Sequence, residues 1–128
     1  ATGPDDGGFA LRRRMGNGRF ITPADMDRFP VITTTDVFRR VPRMRTDKTK
    51  LLMRGAFPSA QGQLTGDNWC EVSIFINGHN VSFMSLEDIN DQVYPHEVKG
   101  IEIYSEGTVP PQFQVGLHGC GSVVIWTR

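Results

Sequence analysis

Asn77-Gly78 stands between two apolar runs, with Cys70-Glu71-Val72-Ser73-Ile74-Phe75-Ile76 before it and Val81 and Phe83 after it. Few short sequences constrain a backbone as strongly. Both residues accept positive φ, which a two-residue turn between right-twisted antiparallel strands requires. The middle of the chain is therefore committed to a hairpin, with a strand expected over residues 70–76. Three more segments read as strands. Residues 49–56 are short and end at Gly55, Ile101-Glu102-Ile103-Tyr104 alternates with period two, and Ser122-Val123-Val124-Ile125-Trp126-Thr127 is rich in β-branched and aromatic side chains.

Helical signals are brief. Thr22-Pro23-Ala24-Asp25 has a capping hydroxyl, a proline at the first helical position and an acid in the first turn, but Phe29-Pro30 ends the helix early. Thr33-Thr34-Thr35-Asp36 starts a second helix that turns Val37, Phe38 and Val41 inward and Arg39 and Arg40 outward, and Pro42 closes it. Tyr94-Pro95-His96-Glu97-Val98 and the segment 109–113 each suit one helical turn, while residues 58–68 read as a loop. The expected fold is α+β, a small mixed β-sheet of three to five strands with two or three short helices. Glycine and proline together make 22 of the 128 residues, which agrees with short elements joined by many turns. Residues 1–11 are expected to be a flexible N-terminal tail and residues 12–128 a single domain, opening on the basic turn Arg12-Arg13-Arg14-Met15-Gly16-Asn17-Gly18-Arg19.

A net charge of zero conceals an uneven distribution. Residues 1–64 carry 12 basic and 6 acidic side chains, whereas residues 65–128 carry 8 acids against Lys99 and Arg128. Two readings follow: neutralisation within the fold, or a basic face for an acidic partner, with Arg12, Arg13, Arg14, Arg19, Arg39 and Arg40 as its contacts. Nucleic acid is not the expected partner, because no recognition motif accompanies the short arginine run. No apolar run is long enough to cross a bilayer as a helix.

The chain has two cysteines, Cys70 and Cys120, each at the edge of an expected strand. One disulfide between them is the favoured reading, and it implies an oxidising compartment. Two reduced thiols, or a metal held with His118 and His79, stay open, although the spacing fits no zinc pattern. Cys120 with His118 two residues away, on the same face of an extended chain, would be the one nucleophile-like pair, and it is the minor reading of the cysteine. Glu87, Asp88 and Asp91 read as a solvated acidic loop, since a calcium loop would need a central glycine. Tyr104, Trp126, Trp69 and Phe113 read as core or interface aromatics. No catalytic residue, metal or cofactor is assigned.

Six segments in order resemble the plug domain of TonB-dependent outer-membrane receptors: Arg12 to Thr22, Thr35-Asp36-Val37-Phe38-Arg39-Arg40-Val41-Pro42, Met53-Arg54-Gly55, Val72 to Gly78, Tyr94 to Tyr104, and Gly119 to Arg128. Two positions depart from the pattern. Arg43 follows Val41-Pro42 where the family often has glycine, and Ser105-Glu106-Gly107 replaces the usual Arg-Gly-Pro. The resemblance implies a plug-like fold and an extracytoplasmic, periplasmic address peripheral to a membrane. With no barrel strands before the last residue, Arg128, the expected role is a non-enzymatic interaction module, an accessory subunit docking on a membrane protein complex. The alternatives are a true plug that occludes or gates a separately encoded receptor barrel, and a small thiol- or zinc-dependent enzyme.

Overall fold

The computed structural model describes residues 7–47, 49–54, 69–105, 107–114 and 121–128. Along the chain come helix α1 (Phe9–Met15), strand β1 (Arg19–Ile21), helix α2 (Pro23–Arg28), a 3-10 helix over Thr34–Arg40, strands β2 (Met44–Asp47), β3 (Lys50–Arg54), β4 (Trp69–Glu71), β5 (Ser73–Ile76) and β6 (His79–Asn80), helix α3 (Leu86–Gln92), strand β7 (Val98–Ser105) and strand β8 (Gly121–Thr127). Single 3-10 turns at Pro95–Glu97 and Pro111–Phe113 occupy the two proline positions expected of them. The class is α+β and plug-domain-like, with a mixed five-stranded sheet in the order β1-β7-β8-β5-β6. β5 and β8 run parallel, and every other pair in that sheet is antiparallel.

A second sheet, β2-β3-β4, was not expected. It corrects the reading of residues 70–76 as one strand. Residues 69–71 pair with β3, the Val72 N–H donates to the Leu51 carbonyl at 3.1 Å, and from Ser73 onward the chain pairs with β8. Cys70, Val72 and Ile74 are all buried, so the inward period runs unbroken through the change of sheet. An alternation of side chains cannot reveal a change of hydrogen-bonding partner.

The hairpin turn forms as expected. Asn77 (φ 52°) and Gly78 (φ 89°) both occupy the left-handed region, and the Asn77 side chain is tied to Thr127 by two hydrogen bonds of 2.8 and 3.0 Å. The Thr22 cap is a full capping box: Asp25 N–H donates to Thr22 Oγ1 at 3.2 Å, and Asp25 Oδ2 accepts from Thr22 N–H at 2.9 Å.

Two expectations need correction. The acidic stretch after Ser85 is helix α3 rather than a loop. Ser85 and Asp88 form a second capping box, and Leu86, Ile89 and Val93 face inward while Glu87, Asp88 and Asp91 stay exposed. Residues 9–11, expected within the tail, form the first turn of α1. Gly8 and Gly16 bound that helix in left-handed conformations, and Phe9 is buried.

The five-stranded sheet is covered on both faces. Ile21, Ile74, Ile101, Ile103, Val123 and Ile125 face the main core under α2, α3, the 3-10 helix and the small sheet. The alternate residues, Phe20, Phe75, Tyr104, Val124 and Trp126, meet Phe113 and Val109 on the opposite side. Phe9 of α1 packs edge-on against Phe20 at 5.8 Å, and a Cβ on Gly100 would come within 2.7 Å of the Phe9 ring. Glycine at 100 therefore makes room for the helix.

The segment after the 3-10 helix carries one further constraint. Met44 N–H donates to the Val41 carbonyl at 3.3 Å, with Pro42 at the second turn position and Arg43 at the third with φ 70°. Proline followed by positive φ is the signature of a type II turn, which favours glycine where Arg43 stands. A residue with a Cβ in that region costs about 1–2 kcal/mol.

Candidate functional site

Glu102 lies at the middle of β7 and its side chain is wholly buried on the second face of the sheet. Its strand neighbours Ile101 and Ile103 face the main core, so alternation places the carboxylate under α1 and the 109–113 segment. Three side chains supply its hydrogen bonds. Arg12 Nε donates to Oε1 at 2.7 Å and Arg12 Nη2 to Oε2 at 2.7 Å, a two-pronged grip. Trp126 Nε1–H donates to Oε2 at 2.6 Å, and the Tyr104 hydroxyl donates to Oε1. The Arg12 guanidinium also lies over the Phe113 ring at 5.1 Å. The hydrogen bond to Glu102 raises the Arg12 pKa further, and burial, followed by the same carboxylate, pushes the Tyr104 phenol up. This arrangement holds charge without moving it. Every partner of Glu102 is a donor, and the group is sealed from solvent, so it acts as a structural tie.

Arg12 therefore finds its carboxylate inside the fold, whereas the other expected contacts point to solvent. Arg13 and Arg14 are exposed on α1, Arg19 on β1, and Arg39 and Arg40 at the end of the 3-10 helix. Arg39 reaches Asp36 only loosely, at 3.9 Å and largely exposed. Arg40 donates to the carbonyls of Phe29 and Pro30 at 2.9 and 3.3 Å and lies over the Phe29 ring. Arg13 is close enough to help hold the Asp25 carboxyl below its ordinary range, behind the larger effect of the Thr22 backbone N–H.

Arg19 borders two clefts. It lines one cleft of about 430 Å³ with Phe29 and Arg40, and a second cleft of about 430 Å³ with Arg43. Arg43 is not among the expected contacts, although its place after Val41-Pro42 is visible in the sequence as a departure from a glycine pattern.

Cys70 is fully buried on β4, while Cys120 and His118 lie outside the described residues. His79 and His96 are exposed. Among the described residues no group of three or more His, Cys, Asp or Glu side chains could hold a metal ion. No helix among them is long and apolar enough to cross a membrane. Tyr104 and Phe113 are buried and Trp126 is half-buried in the second cluster, as expected of packing aromatics. Trp69 stacks under Arg45 at 4.6 Å.

No protein-family model matches the sequence, and neither does any curated protein. Solved structures with a similar fold do exist. The siderophore receptor PirA from Acinetobacter baumannii superposes with a TM-score of 0.61 at 18% identity over 94% of this chain. The ferric enterobactin receptor PfeA (G324V mutant) from Pseudomonas aeruginosa gives 0.60 at 20% identity over 94%, and PirA from Pseudomonas aeruginosa gives 0.57 at 22% identity over 88%. In each case this chain spans about 18% of the receptor's length. The shared fold is consistent with a plug-like domain.

Proposed function

We propose that this chain is a non-enzymatic, plug-like interaction module that works outside the cytoplasm, as an accessory subunit docked on a membrane-associated protein complex. The observation that carries the reading is the division of its arginines. Arg12 is consumed by Glu102 within the fold, while Arg13 and Arg14 on α1, Arg19 on β1, and Arg39 and Arg40 on the 3-10 helix remain at the surface. An acidic partner surface would be steered by these exposed charges. The similar structures are receptors, which supports a binding role over a catalytic one.

Native mass spectrometry of the tagged full chain, extracted from its source membrane in mild detergent, tests the proposal. The expected result is a stoichiometric complex with a protein partner that is lost when Arg13, Arg14 and Arg39 are replaced by glutamate. A solitary monomer in that extract would overturn it. The similarity to siderophore receptors also favours a second reading, in which the partner is a receptor barrel that this chain occludes or gates. Reconstitution with a candidate barrel separates the two, because only an occluding plug lowers the barrel's leak current.

A further inference from the structure

The cleft shared by Arg19 and Arg43 has properties that docking does not require. Its volume of about 430 Å³ lies within the range of small-molecule sites. Asn17, Ser105 and Thr108 add an amide and two hydroxyls to its lining, over an apolar floor of Met44, Met53 and Ile103. The Ser105 and Thr108 hydroxyls stand 3.5 Å apart. None of the described lining residues is acidic, and neither arginine forms an ion pair with a described carboxylate. Two guanidinium groups in one concavity, neither paired with a described carboxylate, concentrate positive potential there.

The backbone supplies an independent argument. Apart from the glycines and Asn77 of the hairpin turn, Arg43 is the sole described residue with φ in the left-handed region. Asparagine is at ease in that conformation and arginine is not. The turn would be more comfortable with glycine, yet it presents a long cationic fork into a cleft. Strain retained at a charged, cleft-lining residue points to binding.

We propose that this cleft binds a small oxyanion, a molecule bearing phosphate or clustered carboxylate groups, through Arg19 and Arg43. Guanidinium forks match both chemistries with paired hydrogen bonds. The inference does not rest on the docking role, although Arg19 is common to both, because the small anion is added to the isolated chain with no docking partner present.

The test titrates the full chain with pyrophosphate in one arm and citrate in the other, at constant ionic strength, by calorimetry and by backbone amide NMR shifts. Saturable binding in at least one arm is expected, with shifts centred on Asn17, Arg19, Met44 and Thr108, and the responding arm identifies the anion class. R19Q and R43Q should each weaken binding roughly tenfold or more, as loss of a charge-assisted pair implies. R28Q, which changes an exposed arginine outside the cleft, should leave it unchanged. R43G guards against a trivial loss of fold, since glycine suits the turn: it should melt no lower than the parent and still bind about tenfold more weakly. Failure to saturate in both arms, equal weakening by R28Q, or undiminished binding by R43G would each overturn the proposal.

Discussion

Arg12 and Glu102, 90 positions apart in sequence, are joined by two parallel hydrogen bonds of 2.7 Å each. The bond runs from the middle of a seven-residue helix to the centre of an eight-residue strand. A helix of that length does not persist in water by itself. α1 therefore exists because Phe9 is buried and because Arg12 satisfies a carboxylate that the sheet has already desolvated. The same contact seals the second face of the sheet, while Arg13, Arg14, Arg19, Arg39 and Arg40 stay exposed.

Breaking this pair from one side should be far worse than removing its charge altogether. R12M strands a fully buried carboxyl group without its cationic partner and should cost about 3–5 kcal/mol. E102Q keeps one acceptor oxygen, for the Trp126 N–H, turns its amide N–H toward the Tyr104 hydroxyl oxygen, which can accept, and frees Arg12, which is 14% exposed, to turn toward water. The double variant R12M/E102Q should be more stable than R12M alone. Urea denaturation of the three variants checks this cycle, and a double variant as unstable as the two singles combined would show that the pair is not coupled.

Alkaline pH should loosen the same site. Burial, reinforced by the Glu102 carboxylate, raises the Tyr104 phenol above its ordinary value. In the unfolded chain the phenol ionises near its usual pKa of about 10, while the folded chain still holds the proton. The stabilising contribution is therefore complete below about pH 10 and is lost as pH rises beyond it. Y104F should lose roughly 1–3 kcal/mol at neutral pH, because Glu102 Oε1 forfeits a donor. It should also show a shallower alkaline decline in thermal melts recorded across that range.

At acid pH the sensitive group is Asp25. The Thr22 backbone N–H, then the Thr22 hydroxyl and the nearby Arg28 and Arg13, favour its charged form and lower its pKa. Stability from this cap is present above the ordinary carboxyl range, near pH 4, and is lost as pH falls through the lowered value. T22A should cost about 1 kcal/mol at neutral pH. D25N should flatten the part of the acid limb that Asp25 contributes, read as urea midpoints between about pH 5 and pH 3.

The sequence was most legible where the deciding interaction is local. Thr22 with Asp25, Asn77 with Gly78, and Tyr94-Pro95 each determine their geometry within four residues, and the structure agrees at all three. It was least legible where distant partners decide. In α1, Leu11 and Met15 are 57% and 62% exposed, so no apolar stripe announces a helix. Its warrant is Glu102, which lies far along the chain. Glu102 itself alternates with Ile101 and Ile103, a pattern that ordinarily marks a solvent-facing side chain, and only the cover of α1 and Phe113 makes that face interior. Helix α3 is a different kind of miss. Ser85 and Asp88 carried a capping signature, and Leu86, Ile89 and Val93 the helical spacing, but three acids in six residues drew the reading toward a loop.

The pairing of Cys70 with Cys120 stands as a proposal, and the described residues support it from both sides. Cys70 is in register with Met53 across β4 and β3. Gly121 follows Cys120 directly in sequence, and a Cβ on Gly121 would sit 3.2 Å from Met53 Sδ. The backbone adjoining Cys120 thus reaches the residue that pairs with Cys70, from the opposite sheet. A link there would fasten β4 of the small sheet to the start of β8 in the large one, beside the point where Val72 passes from one sheet to the other. Closing a loop of that length should contribute about 4 kcal/mol in the chain-entropy account. Thiol titration of the denatured, unreduced protein should find no free thiol, and reduction or a C70S/C120S double change should lower the unfolding free energy by about that amount. Two titratable thiols in protein purified without reductant would refute the link, and with it the oxidising compartment it implies.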